Sequence, residues 1–412
     1  MKTPTLEVDQ AVALVMARAE PLPPITVPIR DALGLVLAED VISRVDSPPF
    51  DKALMDGYAV VAADLWGGTA ELEVLAELTA GDPPRHRVVP GTATRIMTGA
   101  PLPDGADAVV VLEQTETVTT GQRHLVRVDC GPVSAGKHIL RRGALLRGGE
   151  TVLRSGRRLS AVDLGLLAEV AADEVRVYPR PRVALLPTGS ELVAAGEIAG
   201  PGQIPNSNGP MLCGLVAQVG GQPEDLGIVR DDPTELRQLI TRGLEADVLI
   251  MSGGVSTGDR DFVPRVLAEL GIEQVFHGVR LKPGKPCWFG VASQRERRTL
   301  VFGLPGNPVS CLVCFELFVR PALGSLAGNW NNHLPRRELR LAEAFEHRSD
   351  RPTYYPARLR QDSGDPRIEP LAWQGSADLR TFAEADALVS FPAGSRRYGP
   401  DDVLTVLMLD RP

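Results

Sequence analysis

Apolar positions along the chain change their spacing several times. From Thr5 to Ala19 they recur at helical intervals (Leu6, Ala13, Val15, Met16). Glu7 and Asp9 near the start and Arg18 near the end suit the helix dipole, and Pro21, Pro23 and Pro24 stop the element. A second helix is expected at about 29–37. From Leu72 to Val128 the apolar runs are short and β-like, divided by turn signals such as Ala80-Gly81-Asp82-Pro83-Pro84. A helical pattern at 160–170 and an extended one at 175–177 precede Pro179-Arg180-Pro181-Arg182, which marks a boundary. Beyond it the pattern alternates: strands at 183–186, 226–229, 248–251 and 300–302, helices at 208–219, 233–244, 262–270 and 309–319. Such alternation predicts an α/β domain with a mostly parallel sheet and right-handed crossovers. After Trp330 the runs shorten again, at 338–343, 353–360, 368–370, 387–390 and 403–408, as in a small β-barrel or sandwich.

Candidate chemistry collects where expected strands end. Ser252-Gly253-Gly254 follows the apolar run Val248–Met251, and Leu304-Pro305-Gly306-Asn307-Pro308 follows Leu300–Phe302. Paired glycines permit positive φ and close approach of a ligand, and the mouth of an open α/β sheet suits an anion. Between these turns, Lys282-Pro283-Gly284-Lys285-Pro286 holds two ammonium groups on a loop stiffened by proline. Glu191, Asp231 and Asp261 each follow an expected strand and so share one sheet edge. Three acids beside two lysines suggest a divalent cation among phosphates. In the β-like region, Met55-Asp56-Gly57-Tyr58 sets a carboxylate beside a glycine, and Thr98 precedes Gly99 at a turn.

Composition narrows the function class. The 412 residues are 43% hydrophobic, 23% charged and only 5% aromatic, with 41 Gly and 35 Pro, which fits a turn-rich globular chain of several domains. A net charge of −8 argues against a general nucleic-acid or anionic-membrane binder. Five cysteines, an odd number, argue against a disulfide framework and for a reducing compartment. Cys311 and Cys314 form a CxxC inside an apolar helix, so a core pair is expected rather than a redox or zinc site. No leader pattern and no run near the length of a membrane helix is evident, making the cytoplasm the expectation. Gly131–Lys137 matches GxxxxGK, but His138 stands where a P-loop needs Ser or Thr, and no helix is expected after it. Arg141 and Arg142, before Gly143, form a basic edge.

These motifs together resemble the molybdopterin molybdenumtransferase family, which includes the C-terminal domain of gephyrin. The resemblance rests on MDGYAV (55–60), RIMTGAPLPDGADAVV (95–110), TGSEL (188–192), RDDP (230–233), SGGVSTGDRD (252–261), KPGKP (282–286), GLPGNPVS (303–310) and SADL (376–379). It implies four domains: a discontinuous elongated domain (1–46 and 132–179), an inserted β module (47–131), a molybdopterin-binding α/β domain (180–328) and a C-terminal β domain (329–412). It also implies an elongated homodimer in which the β module of one subunit closes the site of the other. The implied reaction inserts molybdate into adenylylated molybdopterin with a divalent cation such as Mg2+, releasing AMP.

Carried over as catalytic are Asp56, Thr98, Glu191, Asp231, Asp261 and Lys282, with Glu191, Asp231 and Asp261 as metal ligands. Substrate binding falls to Ser252, Gly253, Gly254, Ser256, Lys285, Pro305, Gly306, Asn307, Arg141 and Arg142. The chain departs from the family at Leu145, where a second acid is usual. It also lacks a clear basic residue before KPGKP, which Arg280 or His277 could replace. A weakened paralogue that carries the cofactor is the alternative to an inserting enzyme, and a nucleotidyltransferase is a third reading that the motifs outside the α/β domain oppose.

Overall fold

A computed structural model describes residues 5–120, 123–255, 262–294, 297–361 and 365–410. The chain divides into two compact units, one of Thr26–Leu33 with Glu39–Arg176, the other of Met1–Ile25, Gly34–Ala38 and Val177–Pro412.

The smaller unit holds a six-stranded sheet in the order Ala108–Val111, Gly57–Val60, Thr92–Ile96, Thr69–Leu78, Arg123–Asp129, Thr115–Thr120. Gly57 lies opposite both Ile96 and Val111. A Cβ there would sit 1.8 Å from the Val110 carbonyl oxygen, so only glycine lets the strands close. The GxxxxGK stretch leads into strand Ile139–Leu140, not a helix, which removes the P-loop reading. The helix expected at 29–37 is a correction: Ile29–Asp31 is one 3-10 turn, Gly34 takes φ +76°, and the chain resumes as strand Val36–Leu37. Positive φ at Gly34 breaks the α ladder that the apolar spacing invited.

In the larger unit a six-stranded sheet runs Gln222–Asp225, Arg182–Pro187, Val248–Ser252, Arg297–Leu304, Trp288–Gln294, Glu273–His277. The first four strands pair in parallel and the last two pairings are antiparallel, so Trp288–Gln294 alone runs against the other five. Alternate residues feed two cores. Val183, Leu185, Val248, Ile250, Leu300 and Phe302 pack on one side, while Ala184, Leu186, Leu249, Met251 and Val301 pack on the other. Burial on both faces explains why these strands read as continuous apolar runs. Helices Pro233–Gly243 and Val263–Glu269 cover the second side.

Across the first side runs an apolar helix, Pro308–Leu326, with a π turn at Phe315–Val319. It is long and apolar enough to cross a membrane by length and composition, contrary to the sequence expectation, yet 89% of it is buried inside the protein, as in a core helix. Two further corrections concern the sheet. The strand expected at 226–229 lies at Gln222–Asp225 and ends before Gly227, which takes φ +85°. Strands Glu273–His277 and Trp288–Gln294, which flank the lysine loop, had no counterpart in the expected pattern.

The C-terminal segment closes a five-stranded barrel of Arg336–Leu341, Arg367–Pro370, Thr353–Arg360, Ala387–Phe391 and Val403–Met408. A two-stranded ribbon, Phe345–Ser349 with Gly394–Tyr398, accompanies it.

Candidate functional site

Register puts three strand ends level in the larger unit: Pro187 lies opposite Ser252, and Ser252 opposite Leu304. The ladder then runs on into the turns. The Thr188 amide donates to the Ser252 carbonyl at 2.9 Å, and the Gly253 amide to the Leu304 carbonyl at 3.0 Å. Gly253 and Gly254 take φ of +96° and +63°. A Cβ on Gly253 would lie 2.4 Å from the Thr188 carbonyl oxygen; one on Gly254 would lie 2.8 Å from the Thr188 hydroxyl. The second turn stacks on the first, since a Cβ on Gly306 would come 3.6 Å from the Gly253 Cα. Asn208, at the start of helix Asn208–Gln218, donates from Nδ2 to the Gly306 carbonyl at 2.8 Å, and Asn307 donates to the Ser376 hydroxyl at 2.8 Å. Pro305 and Gly306 thus sit between Leu304 and the Asn307-capped helix.

Around these turns three buried polar atoms have no protein partner: Thr188 Oγ1, Ser252 Oγ and Asn208 Oδ1. An unpartnered buried polar group costs about 1–3 kcal/mol, so three around one pair of turns call for water or ligand atoms to bond them. Ser252 was read from sequence; Thr188 and Asn208 were not. Thr188 carried a signal, as the first residue of the TGSEL motif.

Glu191 and Asp231 come together through Ser190. The Ser190 amide donates to Asp231 Oδ2 at 3.4 Å, and the Asp231 amide to Ser190 Oγ at 3.1 Å. The Glu191 carboxylate folds over Gly189, both its oxygens 2.6 Å from where a Cβ would stand. Asp231 reaches this edge by a bridge between Val229 and Thr188 rather than by directly ending a strand. Asp261 and Ser256 lie outside the described residues, and among the described residues no group of three His, Cys, Asp or Glu is arranged to hold a metal.

The lysine loop is stitched to the barrel. The Lys282 amide donates to the Pro352 carbonyl and the Tyr354 amide to the Lys282 carbonyl, each at 2.9 Å. Gly284 packs so tightly on the helix below that a Cβ would fall 2.6 Å from Cys314 Sγ. Cys287, Cys311 and Cys314 are fully buried there, and burial holds the Cys311 and Cys314 thiols well above the ordinary range, so both are neutral core groups as expected. Over the loop opens a cavity of about 640 Å³, whose walls include Lys282, Lys285, His347, Arg351, Trp373 and Ser376. Arg348 at its edge is bonded to Glu346, and Arg351 pairs with Asp350. None of the ion pairs among the described residues engages Lys282 or Lys285. Arg351 and His347 carried no sequence signal; Ser376 had one, as the first residue of SADL. Neither proposed substitute for a basic residue is free: Arg280 pairs with Glu7 at 2.8 Å, and His277 Nε2 meets the Val255 carbonyl at 2.8 Å.

In the smaller unit the pairing of Gly57 with Ile96 brings the flanking Asp56 and Thr98 together, and the Asp56 carboxylate accepts from the Thr98 amide and hydroxyl. Those bonds, the hydroxyl's first, hold Asp56 below the usual carboxylate range. Arg141 pairs with Asp51 at 2.5 Å and Arg142 with Asp46 at 2.6 Å, so both cations of the basic edge already have acids. Their loop is tied to Ser47 and Pro48 through backbone bonds from Gly143, Leu145 and Leu146, and the Leu145 side chain is 63% exposed.

Comparison with known proteins covers nearly all of this chain. Residues 6–171 match the family described as MoeA N-terminal region (domain I and II), 184–325 a probable molybdopterin binding domain, and 338–409 the MoeA C-terminal region (domain IV). A molybdopterin molybdenumtransferase of Nostoc sp. is 36% identical over 92% of this chain and 87% of its own length. One from Staphylococcus aureus is 30% identical over 98% of this chain and 96% of its own. The crystal structure of a molybdopterin biosynthesis MoeA protein from Pyrococcus horikoshii superposes with a TM-score of 0.83 at 32% identity, covering 98% of this chain and 99% of that one.

Proposed function

The chain belongs to the molybdopterin molybdenumtransferase family and is a transferase of molybdenum cofactor biosynthesis; from that premise we propose how its residues divide the work. The stacked glycine turns receive the phosphate end of adenylylated molybdopterin, where Thr188 Oγ1, Ser252 Oγ and Asn208 Oδ1 lack partners. The 640 Å³ cavity receives molybdate, with Lys282, Lys285 and Arg351 matching its charge. AMP and the molybdenum cofactor are the products. The observation that carries this reading is two lysines in one cavity wall that form no ion pair among the described residues, Lys282 being held there by backbone bonds to Pro352 and Tyr354.

Glu191 and Asp231 fit one edge of a divalent cation's oxygen shell, because Ser190 fixes their loops together. Asp261, proposed as the third acid, and phosphate oxygens of the substrate would complete it. Such a cation, Mg2+ for example, would offset the charge of the pyrophosphate.

The family's pattern supports a homodimer in which Asp56 and Thr98 serve the other subunit's site, with the four-domain division set out above. Free cysteines agree with a cytoplasmic setting. The weakened-paralogue alternative has Leu145 as its motive. That side chain is exposed on a loop whose arginines are paired elsewhere, so the missing acid takes nothing from the loop's own structure.

The test is to incubate the purified chain with adenylylated molybdopterin, molybdate and Mg2+ and follow AMP. Molybdate-dependent release is expected. Tight substrate binding without release would overturn the assignment of an inserting enzyme.

A further inference from the structure

His347 sits on strand Phe345–Ser349 and lines the lysine cavity, yet nothing in the reading above uses it. Its residue is 5% exposed, and its Nε2 is buried without a hydrogen-bond partner in the protein. The ring is held in place by stacking on Phe391, with centroids 4.8 Å apart and planes 19° apart. A fixed, unpartnered nitrogen on a residue of the cavity wall calls for a ligand atom within its reach.

We propose that His347 is a further positioning residue for the tetraoxo anion, and that its ring takes up a proton as the anion enters and donates from Nε2 to an oxo group. The inference rests on the reading of this cavity as the molybdate site.

The charges around the ring make the coupling directional. Lys282 acts on it from the loop and Lys285 shares the cavity wall, Arg348 and Glu346 flank it on its own strand, Arg396 lies opposite on the paired strand, and Arg351 follows in the turn. The acids nearby are Glu346, taken by Arg348, and Asp350, which pairs with Arg351 and lies in the field of Lys282. Burial first, and then the field of Lys282, push the His347 pKa below the ordinary histidine value, so the ring is neutral without ligand at neutral pH. A bound dianion reverses the sign of the local field and draws a proton from solvent onto the ring. No bond to the metal centre of the anion is made or broken in this step.

Calorimetric titration of the full chain with submillimolar molybdate, at pH 6 and pH 8 in two buffers of different ionisation enthalpy, tests this directly. For the wild type, affinity is expected to fall about tenfold between those pH values, with net proton uptake on binding. His347→Gln should bind with a flatter pH profile and no uptake, and should raise the KM for molybdate more than it lowers kcat. His347→Lys, with a permanent cation, should restore affinity without the pH dependence. Binding by the wild type without proton uptake, or an unchanged profile in His347→Gln, would overturn the role of His347 while leaving the cavity as the anion site. Failure of the wild type to bind molybdate at either pH would overturn both.

Discussion

The carboxylate of Asp56 accepts two hydrogen bonds from Thr98, from the backbone amide at 2.7 Å and from the hydroxyl at 2.6 Å. The pair exists because Gly57 lets two strands close at that point. Thr98→Val keeps the amide bond and removes the hydroxyl's, so the Asp56 carboxyl should titrate higher, nearer an ordinary aspartate. A depressed acid pKa adds stability above the ordinary aspartate range, and that contribution fades as pH falls through the folded value. In Thr98→Val the acid-side loss should therefore be smaller. Carboxyl carbon shifts followed by NMR across pH check the first point, and thermal melts the second.

Gly253 and Gly306 stack, but they differ in what they tolerate. Gly253→Ala must fit a Cβ 2.4 Å from a carbonyl oxygen at positive φ, whereas Gly306→Ala meets its nearest neighbour at 3.6 Å. The first should cost about 1–3 kcal/mol and the second less than about 1 kcal/mol. Denaturant unfolding of both variants measures the contrast. Equal losses would mean that the turn relaxes freely.

Arg320 lies buried between Glu316 and Asp410, on the helix that contains the π turn. Burial, only partly countered by Arg320, holds the Glu316 carboxyl above the usual carboxylate range. Arg320→Met should lose about 3–5 kcal/mol by stranding that carboxylate, and adding Glu316→Gln should recover part of it. A double-mutant cycle from urea melts reads the coupling. The raised acid sets the sign with pH: in Arg320→Met, stability should decline as pH rises through the carboxylate range and beyond.

Leu145→Asp should leave the melting temperature nearly unchanged, because the side chain is 63% exposed and its loop is fixed by backbone bonds. A Mg2+ titration of AMP release then shows whether an acid at this position matters. A lower half-saturating concentration is expected if the loop reaches the cation, and superimposable curves would make the departure neutral.

The sequence was most readable where burial is two-sided or turns are sharp. The apolar runs at 183–186, 248–251 and 300–302 became adjacent parallel strands, and the glycine and proline turns after them stack at the strand ends as the candidate site. Strands Glu273–His277 and Trp288–Gln294 escaped notice because the lysine loop between them masks a hairpin with a long connection. Helix Pro308–Leu326 proved longer than expected because Pro321 lies in the first turn after the π segment, where it breaks no regular α bond. Thr188, Asn208 and His347 stand out through a missing hydrogen bond, a property no single residue type announces. Arg141 and Arg142 look free in sequence, but the acids that hold them, Asp51 and Asp46, lie some 90 positions away.

The helix Pro308–Leu326 carries a consequence for synthesis. Its burial draws on Val8, Ala11 and Val15 near one end of the chain and on Leu388 and Leu407 near the other. A ribosome adding about 5–20 residues per second would leave this apolar segment without its last partners for several seconds after it emerges. During that interval it offers chaperones, or a lipid surface, a 19-residue span of mean hydropathy 1.6. Nascent chains stalled before Leu388 should therefore be held by chaperones, and release of the last strand should let them go.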